Sequence, residues 1–192
     1  MTEIPAKNAD HAEGDASSLD ATQEAFVAAW GQMAGAWGIS RTMAEVHALL
    51  YISGRSMNTD EIMERLQISR GNASMSIRAL LDWGIISKTH RRGDRKEYFE
   101  ADQDVWSVFR SIVRERMKRE VEPLLAALFE IRDDCPPPDS AKGHAQTEIL
   151  DTKRRLDGML EFLGTVERLS HRFAGPSGKG LETAAKLLGK LP

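Results

Sequence analysis

Two short stretches hold most of the residues with chemistry to offer. In the first, SRGNASMSIR, Ser69, Arg70, Asn72, Ser74, Met75 and Arg78 are spaced so that a helix would present Arg70, Gly71, Ser74, Met75 and Arg78 along one stripe. In the second, THRRGDRKEYF, Arg91, Arg92, Arg95 and Lys96 surround a Gly93-Asp94 pair. A guanidinium presents a rigid fork of donors that matches phosphate or guanine, an asparagine amide can pair with adenine, and a serine hydroxyl suits either base or phosphate. The chemistry on offer is recognition of an anion. Catalysis lacks its parts: no nucleophile stands in register with a base, and no pair of carboxylates points to one pocket. The five histidines, His11, His47, His90, His144 and His171, show no metal-ligand spacing, and the single cysteine, Cys135, excludes a disulfide framework or a Cys-rich zinc site. Gly175-Pro-Ser-Gly-Lys-Gly lacks the spacing of a phosphate loop and reads as a flexible joint. No cofactor or metal is expected.

The chain has 192 residues with a formal net charge of -3, 41% hydrophobic and 29% charged residues, enough for a real core in one ordinary domain with an accessory element. The charge is uneven. Met1 to Glu24 holds six acids and one lysine, whereas Ser69 to Lys96 holds seven basic residues against Asp82 and Asp94. No run is long and apolar enough for a membrane span, and the start has neither the basic nor the apolar region of a secretory signal, so a cytoplasmic protein is expected.

The elements that must position the two stretches follow from periodicity. Residues 1–19 are small, polar and acidic and are expected to stay disordered. Phe26, Val27, Trp30, Met33, Ala34 and Trp37 then recur at helical spacing, predicting a helix over about 20–37 that stops at Gly38. Ser40 caps a second helix ending at Ser53-Gly54, and Asn58 with Glu61 forms a capping box opening a short third one. Ser69 caps a fourth, whose Ala73, Ile77, Leu80 and Leu81 face the core, and Gly84 ends it. Strands at Ile85–His90 and Lys96–Phe99 flank Arg-Gly-Asp in a hairpin with a cationic tip. Asp102 caps a long helix that Pro123 should kink or split. A stiff Cys135-Pro-Pro-Pro linker precedes a seam of Ile149, Thr152, Leu156, Met159, Leu163, Val166, Ser170 and Phe173 at coiled-coil spacing, for which packing onto the long helix is a competing use.

Helix, helix, short helix, turn, helix, hairpin is the order of a winged helix-turn-helix, and the charge lies where DNA contact requires it. The fold expected is mainly α with a small β-hairpin wing. Its parts are a tail at 1–19, a winged domain at 20–101 that includes an N-terminal dimerisation helix, and a long dimerisation helix at 102–134. A linker at 135–143, a coiled-coil-like helix at 144–174 and a tail at 175–192 with a short helix follow. Ser69, Arg70, Asn72, Ser74, Met75 and Arg78 form the reading face. Arg91, Arg92, Arg95 and Lys96 form the wing contacts, with Asp94 pairing to Arg92 or Arg95.

The block NTDEIMERLQISRGNASMSIRALLDWGIISKTHRRGDRKEYFEAD, Asn58 to Asp102, resembles the DNA-binding domain of the MarR superfamily, in its GbsR-like branch. The shared set is Ser69, Arg70, Gly71, Asn72, Ser74, Met75, Trp83, Gly84, Gly93, Asp94, Arg95 and Lys96. The resemblance implies a homodimeric, ligand-responsive transcriptional regulator, usually a repressor, that binds a palindrome in double-stranded DNA. It also implies a small-molecule effector related to choline, glycine betaine or another compatible solute. Trp30, Trp37 and Trp106 are the candidates for an effector site, since indole faces attract quaternary ammonium groups; ordinary core or dimer packing is the competing use of the same residues. The competing class for the whole is a winged-helix module that presents its hairpin to an acidic protein partner.

Overall fold

The computed structural model describes residues 7–174, with side chains from Ser18 onward except Trp37. It divides into two units, one ending at Val108 and one beginning at Phe109. The tail expected at 175–192, with its short helix and its joint at Gly175, lies outside the described residues, as do residues 1–6.

Helix α1 spans Lys7–Met33 and therefore begins well before the predicted start at 20. Composition argues against a core in this stretch, and Ser18, Leu19 and Asp20 are indeed exposed. Extending a helix that is already nucleated needs no core, only propensity, which Ala9, Ala12 and Ala16 supply. A 3-10 turn, Ala34–Trp37, closes α1 on Gly38, whose left-handed φ of 67° lets its N–H reach the last carbonyls. Helix α2, Arg41–Ser53, starts where Ser40 Oγ accepts from the Met43 N–H at 3.1 Å. It is the centre of the first unit: Val46, Leu49 and Leu50 are buried in it, with α1 packed on it and α4 against it.

Met57–Asn58 forms a two-residue strand, β1, absent from the sequence expectation because two residues carry no period. Helix α3, Thr59–Leu66, has the predicted box: Asn58 Oδ1 accepts from the Asp60 and Glu61 N–H groups, and Glu61 Oε2 accepts from the Asn58 N–H at 2.7 Å. The turn to the next helix passes through Gln67, at φ 53° the single non-glycine residue in the left-handed region among the described residues. Helix α4, Arg70–Asp82, is capped by Ser69 Oγ on the Asn72 N–H at 3.3 Å. Ala73, Ile77 and Leu80 are buried as expected; Ser76 is buried beside them and Leu81 only half-buried.

Strands β2, Ile86–His90, and β3, Glu97–Ala101, make the antiparallel hairpin, with Lys88 opposite Phe99 and His90 opposite Glu97. β3 is the middle strand, since β1 pairs with its other edge. Helix α5, Val105–Arg116, is capped not by Asp102 but by Asp104, whose Oδ1 accepts from the Trp106 N–H at 2.9 Å. Asp102 Oδ1 takes the Asp104 N–H instead and shapes the approach.

In the second unit Pro123 has its predicted effect through a specific device. It has no N–H and its ring clashes with the preceding turn, and a π turn over Met117–Val121 absorbs the mismatch before α6, Glu122–Asp134, begins. After the prolines, α7 runs from His144 to Ala174 and packs on α6, with Leu125 and Leu160 buried and Arg132 paired to Asp157 at 2.9 Å. Its stripe is covered in part by α6. Ile149, Leu156, Leu163, Val166 and Phe173 are half-buried, whereas Met159 stays exposed in company with Leu124, Phe129, Ile131, Leu150, Phe162 and Leu169.

Candidate nucleic-acid interface

Helix α4 turns Ala73, Ile77 and Leu80 inward, so its opposite side must face solvent. Ser69, Arg70, Asn72, Ser74, Met75 and Arg78 are all exposed, and Met75 keeps 69% of its surface accessible. One polar cap, Ser69, and one buried stripe fix this orientation.

The cations around this face divide into two sets. Arg70 donates to Asp60 Oδ1 at 2.7 Å, and Lys96 donates to Oδ2 of the same carboxylate at 3.1 Å. Asp60, in the first turn of α3, thus joins the start of α4 to the hairpin. The Lys96 ammonium and then the Arg70 guanidinium hold its carboxyl below the usual range, and Asp60 in turn raises Lys96. Arg91 lies over the Tyr98 ring, 4.1 Å from its centroid, and donates to the Ser56 carbonyl at 2.8 Å. Arg70, Arg91 and Lys96 are committed within the protein. By contrast Arg78, Arg92 and Arg95 are exposed, and no ion pair among the described residues uses them.

Asp94 corrects one expectation. It pairs with neither Arg92 nor Arg95; its Oδ1 accepts from the Lys96 N–H at 2.9 Å and its Oδ2 from the Tyr98 hydroxyl at 2.7 Å. The Lys96 N–H, and after it the Tyr98 hydroxyl, keep this carboxyl below its ordinary range. A carboxylate next to a left-handed glycine, Gly93 at φ 87°, finds backbone donors closer than any flexible arginine. That arrangement leaves both arginines free. Asp60, Ser56 and Tyr98 were missed as parts of the site because they act on partners distant in sequence; Asp60 is 36 positions from Lys96.

The three tryptophans are not gathered together. Trp30 lines a pocket of about 210 Å³ with Phe26, His47, Ala48, Tyr51, Val105 and Val108. Trp106 is half-buried outside that lining, and the side chain of Trp37 lies outside the described residues. Trp30 and Tyr51 each stand within stacking distance of Phe26 and of His47. Phe26 and Trp30 on α1, and His47 and Tyr51 on α2, are each one turn apart, a signal that was present in the sequence. His47 is buried, its Nε2 has no hydrogen-bond partner, and burial lowers its pKa to about 4 against a small opposing pull from Asp102.

Part of the chain is similar to known proteins. Residues 37–97 match the sequence model described as the MarR family. The HTH-type transcriptional repressor GbsR of Bacillus subtilis (strain 168) is 31% identical over 98 residues, 51% of this chain and 54% of that protein. From the same organism, the putative HTH-type transcriptional regulator YvaV is 25% identical over 91 residues, 47% of this chain and 51% of its own. The HTH-type transcriptional repressor OpcR is 26% identical over 76 residues, 40% of this chain and 41% of its own. The chain thus spans about half the length of the curated relatives it matches. A solved structure described as that of a transcriptional regulator superposes over 82% of this chain and 99% of its own, with a TM-score of 0.62 at 20% identity, which shows the fold. These relatives are named as regulators, none as an enzyme. No helix among the described residues is long and apolar enough to cross a membrane. The chain folds as a winged helix-turn-helix, and within it residues 37–97 are similar to the MarR family.

Proposed function

We propose that the chain is a DNA-binding transcriptional regulator that acts as a homodimer and represses from a pseudo-palindromic operator. The observation that carries this reading is the joint exposure of Asn72, Ser74 and Arg78 on α4 and of Arg92 and Arg95 at the wing tip, with the intervening cations used to fix one element to the other. Helix α4 enters the major groove by its N-terminal half, and the wing tip reaches phosphates or the adjacent minor groove. The exposed apolar residues of α6 and α7 supply the dimer surface, and two-fold symmetry places half-sites about 34–36 Å apart. The winged domain begins at the N-terminal helix, and the long post-wing helix and the 144–174 helix complete the dimerisation region.

The effector binds the aromatic pocket of α1 and α2 rather than a cage of Trp30, Trp37 and Trp106. Faces of Phe26, Trp30 and Tyr51 suit a quaternary ammonium such as choline or glycine betaine. Such a ligand releases DNA only by binding the non-binding state more tightly.

The test is fluorescence anisotropy of the protein on its own upstream DNA and on a scrambled duplex across a salt series. Tight, salt-steep and sequence-selective binding at two chains per duplex supports the reading. Equal weak binding to both duplexes, also after unbiased selection from random DNA, removes it and favours an acidic protein partner for the wing. With the operator in hand, choline at millimolar concentration should release it, and an unchanged anisotropy would reject that effector.

A further inference from the structure

Two carboxylates and one imidazole converge in the second unit, beside a pocket that Arg114 and Lys118 also line. Ligand atoms of Glu122, Glu167 and His171 lie within 4.8 Å of one another. Glu167 and His171 stand one turn apart on α7, so their side chains leave the same face. Glu122 is the first residue of α6, immediately after the π turn of Met117–Val121, and that turn resets the face on which Glu122 emerges. Neighbouring acids are treated differently: Glu115 pairs with Arg119, and Glu120 with Arg116 at 3.0 Å. The Arg114 guanidinium is spent on the Ala174 carbonyl at 2.9 Å. Among the described residues no ion pair uses Glu122, Glu167 or His171.

We propose that Glu122, Glu167 and His171 bind one divalent transition-metal ion of the zinc class. Two carboxylate oxygens and one imidazole nitrogen are a donor set that zinc accepts at about 2.0–2.2 Å, with water in the fourth position. Small side-chain rotations close the present spacing to that range. Glu122 and His171 also line a pocket of about 400 Å³, which leaves room for the water. The imidazole selects a borderline ion over magnesium or calcium, which prefer all-oxygen shells. The ion neutralises two like charges that otherwise repel, and it clips the start of α6 to the last described turn of α7. The sequence reading expected no metal site, because the third ligand is remote in the chain and only the packing of α6 on α7 brings Glu122 to Glu167 and His171. With three ligands, one of them an exposed histidine, the site binds less tightly than a closed four-ligand zinc site.

The test is calorimetric titration of the full chain with zinc chloride and with magnesium chloride at neutral pH, together with thermal melts. The expected result is one zinc per chain, a raised melting temperature with zinc, and no magnesium binding. Affinity should fall about tenfold or more in His171→Ala, and similarly in the near-isosteric Glu122→Gln and Glu167→Gln. Cys135→Ser and His144→Ala should bind as the parent does. Circular dichroism without metal checks that each variant keeps its helices; the two glutamine variants, which remove charge and not volume, carry the test if the alanine variant does not fold. Zinc binding that survives Glu122→Gln and Glu167→Gln, or the absence of stoichiometric binding to the parent chain, overturns the proposal.

Discussion

The winged body and the helical pair after it solve the problem of apolar surface in opposite ways. In the first, α2 is wrapped by α1, α4 and β3, and Val46, Leu50 and Ile62 are fully buried. In the second, two helices touch along one seam, and Leu124, Phe129, Ile131, Leu150, Met159, Phe162 and Leu169 remain exposed. Two helices cannot enclose a core, because each has more apolar width than one neighbour can cover. A body that satisfies itself can present polar residues outward for recognition. A pair that does not satisfy itself leaves the apolar face on which the proposed dimer rests. Exposed apolar residues in such number mark an interaction face rather than a solvated one.

The sharpest way to break this contrast is a charge on the open face. Phe162→Asp should convert the proposed dimer to monomers by sedimentation and weaken binding to the proposed operator by about 10²–10⁴-fold, the gain normally given by linking two half-site contacts. The melting of the winged body should not change. Loss of both together would mean that the two regions are not independent in this sense.

A smaller effect sharpens the self-sufficiency of the winged body. His47 has its folded pKa lowered to about 4 from 6.5, so the unfolded chain binds the proton more readily between those values. Stability from this group is therefore complete above pH 6.5 and is lost as pH falls towards 4, with a total on the order of 3 kcal/mol. Denaturant melts of His47→Leu against the parent should show the difference shrinking over that window; parallel pH profiles would refute it.

Within the recognition surface the contrast between free and committed cations gives the next effects. Arg78→Ala should weaken operator binding by about 1–3 kcal/mol and relax preference at one base position. Arg92→Ala should lower affinity for every sequence alike and reduce the salt slope by about one unit. The smallest change is expected from Asp60→Asn, which releases Arg70 and Lys96. Binding to any duplex should tighten slightly and its salt dependence steepen; weaker binding would mean that Asp60 matters more as a clamp than as a competitor for these cations.

Much of this was legible from residues near one another in the chain. The caps at Ser40, Asn58 and Ser69, the glycine stops at 38, 54 and 84, and the buried stripe of Ala73, Ile77 and Leu80 depend on contacts within one or two turns, and they stand where periodicity and capping put them. The extent of α1 was not legible, since composition reports on the capacity for a core and not on the propagation of a helix already begun. The two-residue β1 was invisible because its reason to exist is the free edge of β3.

The sequence by itself determined most of the helices, where most of them start and stop, and which side of α4 carries polar groups, because those outcomes follow from local geometry and from burial along a single period. Only the tertiary structure decided the tasks of the cations. A run such as Arg91-Arg92-Gly93-Asp94-Arg95-Lys96 is uniformly basic when read in order. Folded, it separates into Arg91 held by Tyr98 and Ser56, Lys96 held by Asp60, and Arg92 and Arg95 directed at solvent. Coulomb attraction and hydrogen bonding act over a few ångströms of space, and chain position does not reveal which carboxylate or ring will arrive there.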